Sequence, residues 1–243
     1  MTLRKQILVV MENAFRRFEA GIESPHPVPW RNSFVLRYRT QSIEQALVQK
    51  LARVVSGLHA ADVLLSQGFV QEQGVLHRTL DEINEDILFL AAARTNDRET
   101  PLHKRYLKAF YEDQVPERVD PKVRVKRPPM PTRHEIRQYV GQVLGKGMTL
   151  PDTAGAAIHR AYSGYVHAAS QNIMDLCHGD PPRFHLQGML GTPRIREHAD
   201  DSWNYLYRGF CSVIVVAKAF GDAELLNALA PDLQEFQKMM GAA

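Results

Sequence analysis

Phe69, Leu76, Leu80, Ile83, Ile87 and Leu90 follow one another at steps of seven, four, three, four and three. That interval tracks the 3.6-residue turn of an α-helix, so residues 69–94 are expected to form a helix that buries one face. A second run precedes it: Ile43, Leu47, Leu51, Val54, Val55, Leu58 and Leu65 recur with the same period over 43–66. Ser42 followed by Gln45 makes a capping box at its start, and Gly68 supplies its stop. So short a break returns the second helix antiparallel along the first. These two helices set the fold class: all-α, a helical bundle built on antiparallel long helices, with at most a minor extended arm or hairpin.

The rest of the chain adds to that frame. A first helix is expected over 2–20, with Ile7, Val10, Met11, Ala14 and Phe18 inward and Gly21 as its end. Pro25, Pro27 and Pro29 rule out a helix over 22–33, and Phe34–Tyr38 alternates as a short strand or arm does. Thr100-Pro101 opens a short helix. A basic, proline-rich linker spans 114–131, and Thr132 with Glu135 forms another capping box, opening a helix to about Leu144. A long helix is expected over 151–177 and ends at Gly179-Asp180-Pro181-Pro182. Residues 184–189 are expected to form a small hairpin arm, and helices are expected over 197–220 and on to 240.

Composition narrows the classes. With 243 residues and 44% apolar content, the chain can bury a sizeable core. The net charge of +3 names no polyanion partner by itself. The only cysteines, Cys177 and Cys211, are expected on separate helices as free, buried thiols, which fits a reducing, cytoplasmic setting. The apolar runs Ile7–Met11 and Cys211–Ala217 are too short for a leader or a membrane span, so no membrane association is expected. No Gly-rich phosphate loop or Gly-x-Ser-x-Gly occurs. The one Glu-x-x-His, Glu23 to His26, lies in a proline loop, so neither a metal nor another cofactor is expected.

Polar residues look placed for chemistry in one stretch, 151–177. Arg160 and His167 are seven apart, on nearly one side of the expected helix and about 10 Å apart along its axis. Tyr162 and Ser163 accompany them. Histidine exchanges a proton near neutral pH and arginine holds a phosphate, so the pair has the makings of a metal-independent RNA-cleaving site. The competing reading is a packing histidine and a solvated arginine. On 69–94, His77, Arg78, Asp81, Glu82, Glu85 and Asp86 form a charged row in which Arg78 can pair with Glu82 and His77 with Asp81. That row is either a solvated face or a set of groups orienting Arg160 and His167. Lys122, Arg124, Lys126 and Arg127 on the linker are candidates for contact with a nucleic-acid backbone.

Two segments carry a resemblance. LHRTLDEINEDILFL (76–90), with Arg78 and Glu82, and AYSGYVHAAS (161–170), with Tyr162, Ser163 and His167, resemble matching helices of uncharacterised bacterial all-helical proteins related to the HEPN superfamily. The arginine, six residues, then histidine of Arg160–His167 is similar to the HEPN signature, although Ala161 stands where that family usually has a polar residue. The resemblance implies a HEPN-like bundle over about 43–177, often dimeric, within a single helical domain of 1–243. It also implies an endoribonuclease or RNA-binding protein with Arg160 and His167 catalytic and Arg78, Glu82, Tyr162 and Ser163 supporting. The other class open to this sequence is a non-catalytic helical sensor or protein-interaction module. A shared polar cleft holding Arg160 and His167, or their meeting across a homodimer, favours the first. A His167 buried against one structural partner favours the second.

Overall fold

The computed structural model describes residues 3–112, 129–144 and 162–239. The expected pair is there: α2 (Ile43–Ser66) and α3 (Val70–Thr95). They run antiparallel, as the cross-helix contacts Glu44–Arg94 at 2.5 Å, Lys50–Asp86 at 2.8 Å and Ala61–Gln73 at 3.4 Å step in opposite directions along the two chains. The Ser42–Gln45 capping box opens α2. Its end is a Schellman motif: Phe69 N–H donates to the Leu64 carbonyl at 2.9 Å and Gly68 N–H to Leu65 at 3.0 Å, with Gly68 at φ 80°.

α1 (Leu3–Ala20) buries Ile7, Leu8, Met11, Ala14 and Phe18 against α2 and the long helix α8 (Arg194–Ala219). Gly57 and Gly209 let the helices close up. A Cβ on Gly209 would lie 2.5 Å from Leu58 Cδ1, and one on Gly57 would lie 2.6 Å from Leu80 Cδ2. α8 lies along both α2 and α3, so the core is an α1–α2–α3–α8 bundle. α9 (Ala223–Met239) seats Phe236 among Trp203, Tyr207 and Phe210.

Two short helices pack at the edge. α4 (Pro101–Tyr111) opens with a box between Thr100 and His103, and His103 stacks on Phe89 at 4.2 Å. α5 (Arg133–Leu144) opens with the expected Thr132–Glu135 box and pins itself to α3 through Arg133–Asp86 at 2.6 Å and Arg137–Glu85 at 2.8 Å.

Residues 22–33, expected to be wholly extended connection, include a strand: β1 (His26–Trp30) pairs antiparallel with β2 (Ser33–Arg37) around the turn at Arg31-Asn32. Proline lacks an N–H, and Pro27 and Pro29 take alternate places in a two-stranded ribbon, where half the N–H groups face away from the partner.

The helix expected over 151–177 is corrected. Residues 151–161 lie outside the described residues, and the described chain beyond them is helical over 162–166 (α6) and again in the short α7 (Ser170–Met174). Between them is a second Schellman motif: Ala169 N–H donates to the Gly164 carbonyl at 2.9 Å and Ala168 N–H to Tyr165 at 3.4 Å, with Ala168 at φ 50°. The chain then turns back so closely that a Cβ on Gly164 would sit 2.0 Å from Asn172 Oδ1. Cys177 is therefore not helical. It lies in β3 (Cys177–His178), which pairs with β4 (Arg183–Phe184), so the hairpin falls just before the expected 184–189 arm. The loop after it docks on the α2–α3 turn, where Met189 N–H donates to the Gly68 carbonyl at 2.8 Å. Both cysteines are free and half-buried rather than buried.

Candidate functional site

The face of α3 turned toward α8 is polar and buried. On that face His77 is 0% exposed and Asp81 and Asn84 are 5% each, while Asp86, 2% exposed, is buried on the other side of the helix, toward α2 and α5. A polar group can stay in a core only if its hydrogen bonds or charge are met, and α8 and other elements supply most of the partners. Tyr205 donates to Asp81 at 3.0 Å, and Arg208 reaches the same carboxylate at 2.5 Å. Ser212 donates to Asn84 Oδ1 at 2.8 Å. Asp86 is held by Lys50 at 2.8 Å as well as by Arg133.

His77 is different. Its ring lies flat on Tyr205, centroids 3.9 Å apart, and edge-on to Tyr162 at 6.0 Å. Neither ring nitrogen has a hydrogen-bond partner. The expected pairing with Asp81 is therefore not made. Burial first, then the nearby His198, Arg4 and Arg208, lowers its pKa to about 3, so it is neutral at physiological pH.

Tyr162 and Tyr165 of α6 close the end of this polar seam. Tyr165 packs over α3 where Gly74 leaves room, since a Cβ there would come within 2.9 Å of its ring. Tyr162 donates to Asp201 of α8 at 2.6 Å, and Tyr165 to Asp175 at 3.2 Å. Outside them lies a concavity of about 440 Å³ between α6, α7 and the first turns of α8, lined also by Asn172, Arg194, Glu197 and His198. Arg194 bridges Asp175 at 2.8 Å and Glu197 at 2.7 Å. His198 is 5% exposed, and its Nδ1 has no hydrogen-bond partner.

Burial pushes the Tyr162 and Tyr205 hydroxyls well up, and their carboxylate partners add to it. Burial likewise pushes Tyr165 up to about 12 and lowers His198, although Asp201, Asp175 and Glu197 pull the other way. Near neutral pH these tyrosines are un-ionised donors and both histidines are uncharged.

The sequence candidates separate. Arg160, Lys122, Arg124, Lys126 and Arg127 lie outside the described residues. His167 is exposed at the last turn of α6, and its N–H donates to the Ser163 carbonyl at 3.1 Å. Arg78 and Glu82 pair within α3 at 2.7 Å. The α3 residue that meets Tyr162 is their neighbour His77. Of the five described site candidates from the two helical segments, Tyr162 alone is among the residues that line the concavity. Asp201, His198, Arg194 and Asp175, which do line it, were missed. A hint was present in the α8 sequence, where His198, Asp201, Tyr205 and Arg208 recur at helical steps of three and four.

Among the described residues no group of three or more His, Cys, Asp and Glu side chains is arranged to hold a metal ion, and no helix is long and apolar enough to cross a membrane. No family model matches the chain, and neither does any curated protein or solved structure.

Proposed function

We propose that this chain is a non-catalytic helical binding module that senses a small polar ligand in the concavity between α6, α7 and α8. One observation carries the reading: the wall of that concavity contains His198, almost wholly buried, with an unpartnered Nδ1. A buried polar atom without a partner loses its hydration for nothing, unless something else supplies the bond. The volume falls within the range of small-ligand pockets. The test is thermal denaturation of the full chain against a panel of anionic, cationic and neutral metabolites. A compound that raises the wild-type Tm and leaves His198→Phe unmoved supports the module. A panel in which no class moves the wild type overturns it.

A second reading is a metal-independent endoribonuclease using Arg160 and His167, alone or in a homodimer. The exposure of His167 favours it, because a substrate can reach the imidazole at the end of α6. In that reading Arg160 holds the scissile phosphate, His167 moves the proton, and Lys122, Arg124, Lys126 and Arg127 attract the RNA backbone. Mixed RNA incubated with and without EDTA, beside His167→Ala and Arg160→Ala, decides it. RNA left intact by the wild type, or cut equally by both variants, refutes the nuclease.

A further inference from the structure

We infer that the concavity beside His198 takes a small organic cation, an alkylamine or guanidinium compound. The inference rests on the binding-module reading and adds the chemical class. Charge is the first argument. The described lining holds Asp175, Glu197 and Asp201 against Arg194, three negative charges and one positive, or a net of two negative. Arg194 answers Asp175 and Glu197, whereas Asp201 receives only the neutral hydroxyl of Tyr162 at 2.6 Å among the described contacts. A carboxylate offers about four lone-pair sites, so one tyrosine hydroxyl leaves Asp201 capacity for an N–H donor.

Shape is the second. The rings of Tyr162 and Tyr165 stand 5.8 Å apart at 47° and form an aromatic corner of the lining. An alkylammonium or guanidinium group against such a face gains from the ring quadrupole, and more when water is excluded. His198 is the third. It lines the concavity and sits edge-on to Tyr165, centroids 5.9 Å apart, so its ring stands beside the aromatic corner, and its buried Nδ1 is unpartnered. An uncharged imidazole accepts from an ammonium or guanidinium N–H in one tautomer. An anion would meet the net negative charge, and a neutral polyol would leave it unanswered.

The experiment is isothermal titration of the full chain at pH 7.5 with agmatine, putrescine and spermidine, beside AMP and glucose. At least one amine should bind while AMP and glucose do not, and Asp201→Asn should weaken that amine at least tenfold. Circular dichroism and a melting curve accompany each variant. Should Asp201→Asn unfold, Glu197→Gln takes its place, because its side chain is 61% exposed and carries little of the fold. That variant should weaken binding about threefold, and Glu235→Gln, outside the lining, should not. Amine binding unchanged in the lining variants, or weakened equally by Glu235→Gln, overturns the inference. AMP or glucose binding that is lost in His198→Phe, with no amine bound, overturns the cation class and leaves the module standing. No binding of any of these probes overturns the cation class, and the wider metabolite panel then decides the module by itself.

Discussion

His77 should make the protein acid-sensitive well above the carboxylate range. Its pKa is about 3 when folded, against an ordinary 6.5 when unfolded. Between those values the unfolded chain binds a proton that the folded one refuses, so stability falls as pH falls. The contribution is complete above pH 6.5 and is lost progressively below it. At pH 5.5 the unfolded histidine is about nine-tenths protonated, and the loss is about 1.4 kcal/mol; at pH 5 it is about 2 kcal/mol. His103 and His198, both lowered first by burial, act in the same sense. Asp81, raised by burial, acts oppositely, because the folded state takes its proton first. The perturbation that isolates His77 is His77→Phe, which keeps a flat ring on Tyr205 and removes two unpartnered nitrogens. Urea denaturation of both proteins at pH 7.5 and 5.5 measures it. The wild type should lose at least about 1 kcal/mol more than the variant over that interval. Equal losses in the two proteins would refute the reasoning, since they would mean that His77 is protonated in the folded state or reached by water.

Asp86→Ala should destabilise the fold by about 3 kcal/mol, since the carboxylate is 3% exposed and its loss removes the ion-pair partner of Lys50 and leaves Arg133 only the Glu82 carbonyl and the more distant Glu85 among the described contacts. Glu82→Ala should cost well under about 1 kcal/mol, because Glu82 is 42% exposed and pairs only along its own helix among the described ion pairs. Chemical denaturation checks both, and similar values for the two would show that burial does not separate them. Gly209→Ala should destabilise by about 1 kcal/mol, overpacking against Leu58, Met11 and Val54 outweighing the gain in helix propensity. A raised Tm would show that the helices part without strain. Ala168→Gly should stabilise by about 1 kcal/mol, because it relieves the left-handed backbone between α6 and α7. A lowered Tm would mean that the alanine side chain makes a contact worth more than the strain.

The long helices were legible because their signals are local. The period of 43–94, the Ser42–Gln45 and Thr132–Glu135 boxes and the stop at Gly68 each lie within a few residues of the structure they specify. The break at Ala168 was not, although it is the same Schellman motif as at Gly68. Glycine announces a left-handed residue and alanine does not, and the apolar steps through Tyr162, Tyr165, Ala169 and Ile173 continue in register across the turn. The same difficulty hides the site. His77, Asp81 and Asp86 read as a solvated row on one helix, because the groups that let the two carboxylates stay inside come from far along the chain: Tyr205 and Arg208 for Asp81, Lys50 and Arg133 for Asp86. Once those partners are in place, the polar seam sorts its own members. Groups with partners on other elements hold the bundle together, and those partners account for their burial. His77 is buried with both ring nitrogens unmet and His198 with its Nδ1 unmet, the first packed on Tyr162 and the second on Tyr165. His77 is sealed, so its unmet nitrogens weigh on stability and make it a pH-dependent liability. His198 belongs to the wall of the concavity, and on the binding-module reading proposed above a ligand seated there would complete its bonding, which no ligand can do for His77.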